Sequence, residues 1–323
     1  MSLQSMLMVA AGFALLGVGG DALVRGGVGL ATRLGLSRLF IGLVLVGFGT
    51  SAPELAASLN AALQGAPQIA AGTVIGSNIA NALLILGVAG VIAPVDCDPA
   101  AFRRDAPVLA IATLAGVAGV FMGGFGRIVG LAFAAGLALY IVAAFRAEKR
   151  AAASDVIERE ADLIDTKGDG LAASFARLVV GVAMVSGGAV VMVAGATRIA
   201  LGLGVPEATI GLTIVAVGTS LPELAAAVAA ARKGETDLAY GNVIGSNIFN
   251  LLGILGITAA VAPIDLSSGF MRADAVMMAL ATLVVFVFAR TGERLSRLEG
   301  VVLFVAYGGY LAFLAIRSAL AAA

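Results

Sequence analysis

Long apolar runs separated by short polar joints set the pattern of this chain. Stretches long enough to cross a bilayer, roughly 20 residues each, fall near 3–22, 36–62, 68–93, 105–124, 127–145, 174–197, 204–231, 237–262, 272–290 and 298–317. They predict ten membrane-spanning helices. The second, third, seventh and eighth runs exceed a straight crossing, which predicts helices that tilt or break. The first run has no basic flank and no convincing cleavage site after it, so it reads as a span and not as a removable signal. One segment is markedly polar, Arg146 to Asp169, and it divides the runs five and five. It is too short to build a core and reads as a solvated linker. The expected organisation is a first membrane repeat over 1–145, a charged linker over 146–172 and a second membrane repeat over 173–323.

The two halves are copies. Gly49-Thr50-Ser51-Ala52-Pro53-Glu54-Leu55 recurs as Gly218-Thr219-Ser220-Leu221-Pro222-Glu223-Leu224, and Val74-Ile75-Gly76-Ser77-Asn78-Ile79-Ala80-Asn81 recurs as Val243-Ile244-Gly245-Ser246-Asn247-Ile248-Phe249-Asn250. Both recur at an offset of 169, and blocks 45–55 and 73–87 share 18 of 26 residues with 214–224 and 242–256. Five spans per copy is an odd number, so the second copy enters the membrane upside down relative to the first. The expected fold is an all-α integral membrane protein of two inverted five-helix repeats with broken helices at the centre.

Composition agrees with the pattern: 60% of residues are hydrophobic and only 12% charged, where a soluble domain carries about a quarter, and the mean hydropathy is +1.06. The 43 glycines suit membrane helices that approach closely. With no His and a single Cys97, an intramolecular disulfide is excluded, and a His-based catalytic or transition-metal site is disfavoured. Sixteen of the 20 Lys and Arg residues fall after odd-numbered spans. By the positive-inside bias this places the linker in the cytoplasm and both termini outside, in the inner (plasma) membrane.

Candidate chemistry sits in the repeated blocks. Glu54 and Glu223 are the carboxylates deepest in the predicted spans, and a charge at that depth costs at least about 2.5 to 3.5 kcal/mol unless it faces a cavity. Thr50 and Ser51 precede Glu54 by four and three residues, as Thr219 and Ser220 precede Glu223, which puts hydroxyls and carboxylate on one helical face. Ser77 with Asn81, and Ser246 with Asn250, have the same i, i+4 spacing. Pro53 and Pro222 deprive the carbonyls four residues back, on Gly49 and Gly218, of their helical donor. Nearby glycines, Gly76 and Gly245 among them, read equally as points of local unwinding and, in Gly72-xxx-Gly76 and Gly241-xxx-Gly245, as small-residue packing surfaces. Ser58 reads as a packing hydroxyl, Asn78 and Asn247 as braces, Asp21 with Arg25 as an interfacial pair, and Cys97 as incidental. All donors in the cluster are oxygens, which selects hard cations such as calcium and sodium. Two glutamates balance one divalent ion or two monovalent ions, so the two cargoes compete for one cavity. Proton/calcium antiport is the alternative, and a passive cation channel is the alternative of another class. The chain has no HExxH and no serine with a base at hand, so an enzyme is not expected.

These paired blocks resemble the two alpha-repeats of the calcium/cation antiporter superfamily, in its prokaryotic sodium/calcium exchanger branch, and the resemblance covers the whole chain. It implies a row of ion sites formed by Thr50, Ser51, Glu54, Ser77 and Asn81 with Thr219, Ser220, Glu223, Ser246 and Asn250. It further implies carbonyl ligands at Gly47 and Ala216, two residues before those the proline argument singles out. It also implies that the first and sixth spans, Met1 to Gly20 and Ser174 to Thr197, slide across the other eight. Some relatives carry Asp where this chain has Asn250, so potassium co-transport is not expected. Proton-coupled relatives tend to show Gly-Asn-Ala-x-Glu in place of Gly-Thr-Ser-x-Pro-Glu, which favours sodium as the driving ion. The partners expected are sodium and calcium ions and the lipid bilayer, with no cofactor, no nucleic acid and a monomeric state.

Overall fold

The computed structural model describes residues 3–159, 170–203, 216–267, 269 and 271–322. Its long segments are all helical: α1 (Leu3–Leu34), α2 (Arg38–Thr50), α3 (Ala52–Leu63), α4 (Pro67–Ile92), α5 (Pro99–Phe121) and α6 (Arg127–Arg159) in the first half. The second half holds α7 (Leu171–Gly202), α8 (Ala216–Thr219), α9 (Leu221–Arg232), α10 (Thr236–Val261), α11 (Arg272–Arg290) and α12 (Arg297–Ala322). Among the described residues eight helices are long and apolar enough to cross a membrane, and α2 with α3, bent by 42° at their junction, passes the same test only as a pair, which would be a ninth if it forms one span. The seventh expected run, 204–231, lies outside the described residues up to 215 and continues as α8 and α9. The protein is thus an integral membrane protein of multiple helical spans.

Local chemistry explains the helix ends. Gly35, with φ +62°, takes the left-handed turn that closes α1. Ser37 caps α2 by accepting the Phe40 N–H at 3.1 Å, and Asp98 caps α5 through the Ala100 N–H at 2.6 Å. Pro67 and Pro99 open α4 and α5, where their missing N–H is harmless.

Two helices form the centre. In their most apolar windows α4 and α10 are 72% and 83% buried, against 22–39% for the other long spans, whose outer faces are left to lipid. Neither unwinds at Gly76 or Gly245, and the packing alternative holds at Gly241 and Gly245, whereas a Cβ on Gly76 would meet nothing within 4 Å. Gly245 is small because the backbone of Leu43 on α2 passes where its Cβ would sit, and the Leu39 carbonyl does the same at Gly241. Both helices instead widen into π-helical turns a few residues further on, over Asn81–Ile85 and Phe249–Leu255. Such turns are frequent at functional sites.

Among the described residues four two-residue strands join the loops in antiparallel pairs. β1 (Val95–Asp96) pairs with β4 (Arg294–Leu295), and β2 (Gly124–Phe125) pairs with β3 (Ile264–Asp265). β1 lies just before α5 and β2 just after it, so the two pairs sit at opposite ends of a 23-residue helix. Cys97 lies beside β1, buried, its N–H bonded to the Glu293 carbonyl at 2.8 Å. Burial pushes its thiol up to about 12, which makes it a small core residue and not an exposed loop cysteine.

The long helices α1 and α7 run antiparallel along a glycine seam. A Cβ on Gly12 would meet the Gly188 carbonyl at 2.6 Å, and one on Gly26 would meet the Leu178 nitrogen at 2.5 Å. On the α7 side, a Cβ on Gly195 would meet the Ser5 carbonyl at 2.8 Å. Gly12, Gly19 and Gly26 are seven residues apart, as are Gly181, Gly188 and Gly195. A seven-residue repeat keeps one face of each helix against the other, and small residues let the backbones touch.

Candidate ion-binding site

The site is built where two helices stop and restart. Ser51, at φ −86° and ψ 5°, separates α2 from α3, and Ser220, at φ −92° and ψ 6°, separates α8 from α9. Pro53 and Pro222 occupy the first turns of the new helices, so the interruption falls where the missing N–H requires it. Glu54 and Glu223 follow in the same first turns, where unpaired N–H groups and the helix dipole favour negative charge. Both residues are 1% exposed.

The breaks bring together most of the expected residues. The Ser51 hydroxyl donates to Glu223 Oε1 at 2.8 Å, a bond between the two halves. The Ser246 hydroxyl donates to the Gly47 carbonyl at 3.2 Å, so two expected oxygens from different halves are neighbours. Thr50 Oγ1 donates to the Val46 carbonyl at 3.0 Å and also lies 3.2 Å from the Gly47 carbonyl. Asn81 Nδ2 donates to Asn247 Oδ1 at 3.0 Å, again across the halves. Ser77 and Asn250 are buried on α4 and α10, and Thr219 is half-buried at the end of α8. Ala216 opens α8.

The unpaired atoms define the chemistry. Buried side-chain oxygens without a protein hydrogen-bond partner are Glu54 Oε1 and Oε2, Glu223 Oε2, Asn81 Oδ1, Asn250 Oδ1 and Ser220 Oγ; Thr113 Oγ1 is the one such oxygen outside the cluster among the described residues. A buried polar group without a partner costs about 1–3 kcal/mol and a charged one more. Neither glutamate has a salt bridge among the pairs seen between described residues, which include Arg25 and Lys233 with Asp21, Arg38 with Glu235, Arg104 with Asp105 and Glu148, and Arg317 with Asp274. Nor does any group of three or more His, Cys, Asp or Glu assemble among the described residues. The cluster is therefore a set of oxygens carrying two carboxylates, suited to hard cations.

Other residues fill supporting places. Ser58 donates to the Ala70 carbonyl at 3.2 Å and lies 3.3 Å from Thr258 Oγ1, joining α3, α4 and α10. Asn78 bonds back to the Val74 carbonyl at 2.8 Å. Asp21 pairs with Arg25 at 2.8 Å and also with Lys233. Asn242 does not stand out in the sequence, because the first copy has Thr73 in its place. Fully buried, it donates to the Glu223 carbonyl at 3.3 Å and faces Thr50 Oγ1 at 3.5 Å. Asp105 and Asp274, which the sequence reading also passes over, are buried at the starts of α5 and α11 and accept from Tyr140 at 2.9 Å and Tyr310 at 3.1 Å. Their separation of 169 is the signal that marks them. Each has an arginine partner, Arg104 or Arg317, and pins one pair of helices, α5 with α6 or α11 with α12.

Comparison with known proteins follows the same division of the chain. A family model described as sodium/calcium exchanger protein matches residues 4–146 and 173–316, leaving out the polar segment between. The putative antiporter CaxA of Alkalimonas amylolytica is 37% identical over 313 residues, covering 95% of this chain and 98% of that protein. Inner membrane protein YrbG of Escherichia coli (strain K12) is 33% identical over 319 residues, covering 98% and 97%. The solved structure of the sodium-calcium exchanger NCX_Mj, soaked with 10 mM Na+ and 10 mM Sr2+, matches with a TM-score of 0.82 and 28% identity over 98% of this chain and 99% of that one.

Proposed function

Since the chain belongs to the sodium/calcium exchanger family of membrane antiporters, we propose that it exchanges sodium for calcium by alternating access, with Glu54 and Glu223 as its charged ligands. The observation that carries this reading is the set of unpartnered buried oxygens drawn from both halves around the two glutamates. A calcium ion, or two sodium ions, would neutralise the carboxylates and engage Asn81, Asn250 and Ser220 at once. Thr50, Ser51, Ser77, Thr219 and Ser246 and the carbonyls of Gly47 and Ala216 complete the ligand set. Ser51 and Ser246 direct their protons to Glu223 and Gly47, so turning either hydroxyl presents a lone pair to an ion. One cavity serving two cargoes of equal total charge makes them compete, and competition is the condition for exchange.

The architecture in this reading is ten spans in two inverted repeats. Val95 and Ile264 are equivalent by the 169-residue offset, yet their strands lie at opposite ends of α5, as inversion requires. Interrupted helices from inverted repeats meeting on buried ligands are the build of secondary transporters. The antiparallel glycine seam supports α1 and α7 sliding as one body across the rest. The basic residues put both termini outside and the linker 146–172 in the cytoplasm. Exchange of more than two sodium ions per calcium is electrogenic, with about 2.3 kcal/mol per net charge available from each 100 mV.

Charge removal tests the ligand assignment. At about 4 Å and an effective dielectric near 20, one unit charge pair is worth about 4 kcal/mol. Glu54→Gln and Glu223→Gln are each expected to weaken calcium binding by a hundredfold or more and to abolish sodium-dependent calcium flux in vesicles. Normal flux in both variants would place the site elsewhere.

A further inference from the structure

A second cavity, of about 620 Å³, lies between α1, α7 and α9, and we propose that it is a binding site for one anionic phospholipid. Its volume is that of a small-molecule site. Leu221, Leu224 and Val228 of α9 face Phe13 and Leu16 of α1 along its walls. Phe13 is 70% exposed, so the groove opens sideways, toward the bilayer. From Leu221 to Arg232 the helical rise is about 16 Å, half of the roughly 30 Å hydrocarbon core. The groove is thus as long as the acyl region of one leaflet.

One end of the groove is charged. Arg232 and Lys233 line it with Asp21. Lys233 is paired with Asp21, whereas Arg232 is exposed and has no hydrogen bond or ion pair among the described residues. The net charge at this rim is positive, which suits a phosphate and repels a cation. An ion pathway is therefore the wrong reading of this cavity. It is also separate from the ion-binding cluster, because Glu223, Ala226, Ala227 and Ala230 are buried on the opposite face of α9. A headgroup phosphate on Arg232, with an acyl chain laid between α1 and α9, matches both ends. Basic pockets between membrane helices recognise anionic headgroups in this way.

Native mass spectrometry of the full chain reads the preference without transport, so its failure leaves the exchange reading untouched. The protein is held in uncharged detergent with equal amounts of dioleoyl phosphatidylglycerol and dioleoyl phosphatidylcholine. The wild type is expected to retain the phosphatidylglycerol selectively. Arg232→Gln is expected to lower that retention about fivefold, the factor one basic side chain near the headgroups supplies. Gly17 lines the groove, and a Cβ there meets nothing within 4 Å, so Gly17→Phe can fill it without disturbing α1 and is expected to remove retention with no change of charge. Equal retention of the two lipids by the wild type overturns the proposal. So does wild-type retention in Gly17→Phe, which would place the acyl chain elsewhere. Displacement of the lipid by an equal concentration of glycerol 3-phosphate also overturns it, since the site would then be one for a free phosphate.

Discussion

Glu54 and Glu223 are equivalent in sequence but not in surroundings. Glu223 accepts from Ser51 across the halves, while among the described residues both oxygens of Glu54 and Ser220 Oγ, the counterpart of Ser51 Oγ, have no hydrogen-bond partner. In the proposed account Glu54 therefore gains more from a bound cation. The same asymmetry makes Asn250 a test of the charge count. Its Oδ1 is buried and unpaired, so Asn250→Asp adds a third carboxylate to the cavity and is expected to tighten calcium binding tenfold or more, about 1.4 kcal/mol, measured by titration calorimetry in detergent. Unchanged or weaker binding would remove Asn250 from the ligands. The burial of both glutamates is legible in the chain alone, because a carboxylate costs too much in an apolar run to face lipid there. Asn242 is not, because its role rests on contacts with Thr50 and Glu223 from other helices and the repeat gives it no twin.

Elements show a similar split. Pro53 and Pro222 announce the interruptions at Ser51 and Ser220, since a proline fits the first turn of a helix and costs a hydrogen bond further in, although Pro107 inside the continuous α5 shows that the mark is not unique. The π-helical turns over Asn81–Ile85 and Phe249–Leu255 leave no such mark, since no proline stands in either segment. Glycine signals both unwinding and close approach, and only the position of Leu43 decides for Gly245, while a Cβ on Gly76 would meet nothing within 4 Å. The α1–α7 seam is written in the seven-residue glycine spacing but needs a partner helix to give it meaning. It makes a sharp comparison possible. A Cβ on Gly187 meets nothing within 4 Å, whereas one on Gly188 meets the Leu15 Cβ at 2.8 Å and the Gly12 carbonyl at 3.0 Å. Gly188→Val is expected to cost about 1–3 kcal/mol by overpacking and Gly187→Val within about 0.5 kcal/mol of nothing. Thermal unfolding in detergent checks this, and equal melting temperatures for the two variants would contradict the seam.

At the scale of the whole molecule, the proposed inverted arrangement rests on the odd number of spans per copy expected from the sequence and on strand pairs at both ends of α5. Its orientation rests on the basic residues. In a Cys97→Ala background, Arg150→Cys is expected to react with an impermeant thiol reagent only from the cytoplasmic side and Gly126→Cys only from outside; Gly126 is exposed, and Arg150 lies at the polar end of α6. The reverse labelling would turn the molecule over, and labelling of both from one side would remove the inversion. The central claim is that sodium drives calcium through this cavity. Calcium uptake into vesicles of purified protein, first under an outward sodium gradient and then under a proton gradient alone, tests it most directly. The account predicts uptake that follows the sodium gradient and is absent with protons alone. Uptake driven by protons alone, or flux that needs neither gradient, would contradict it.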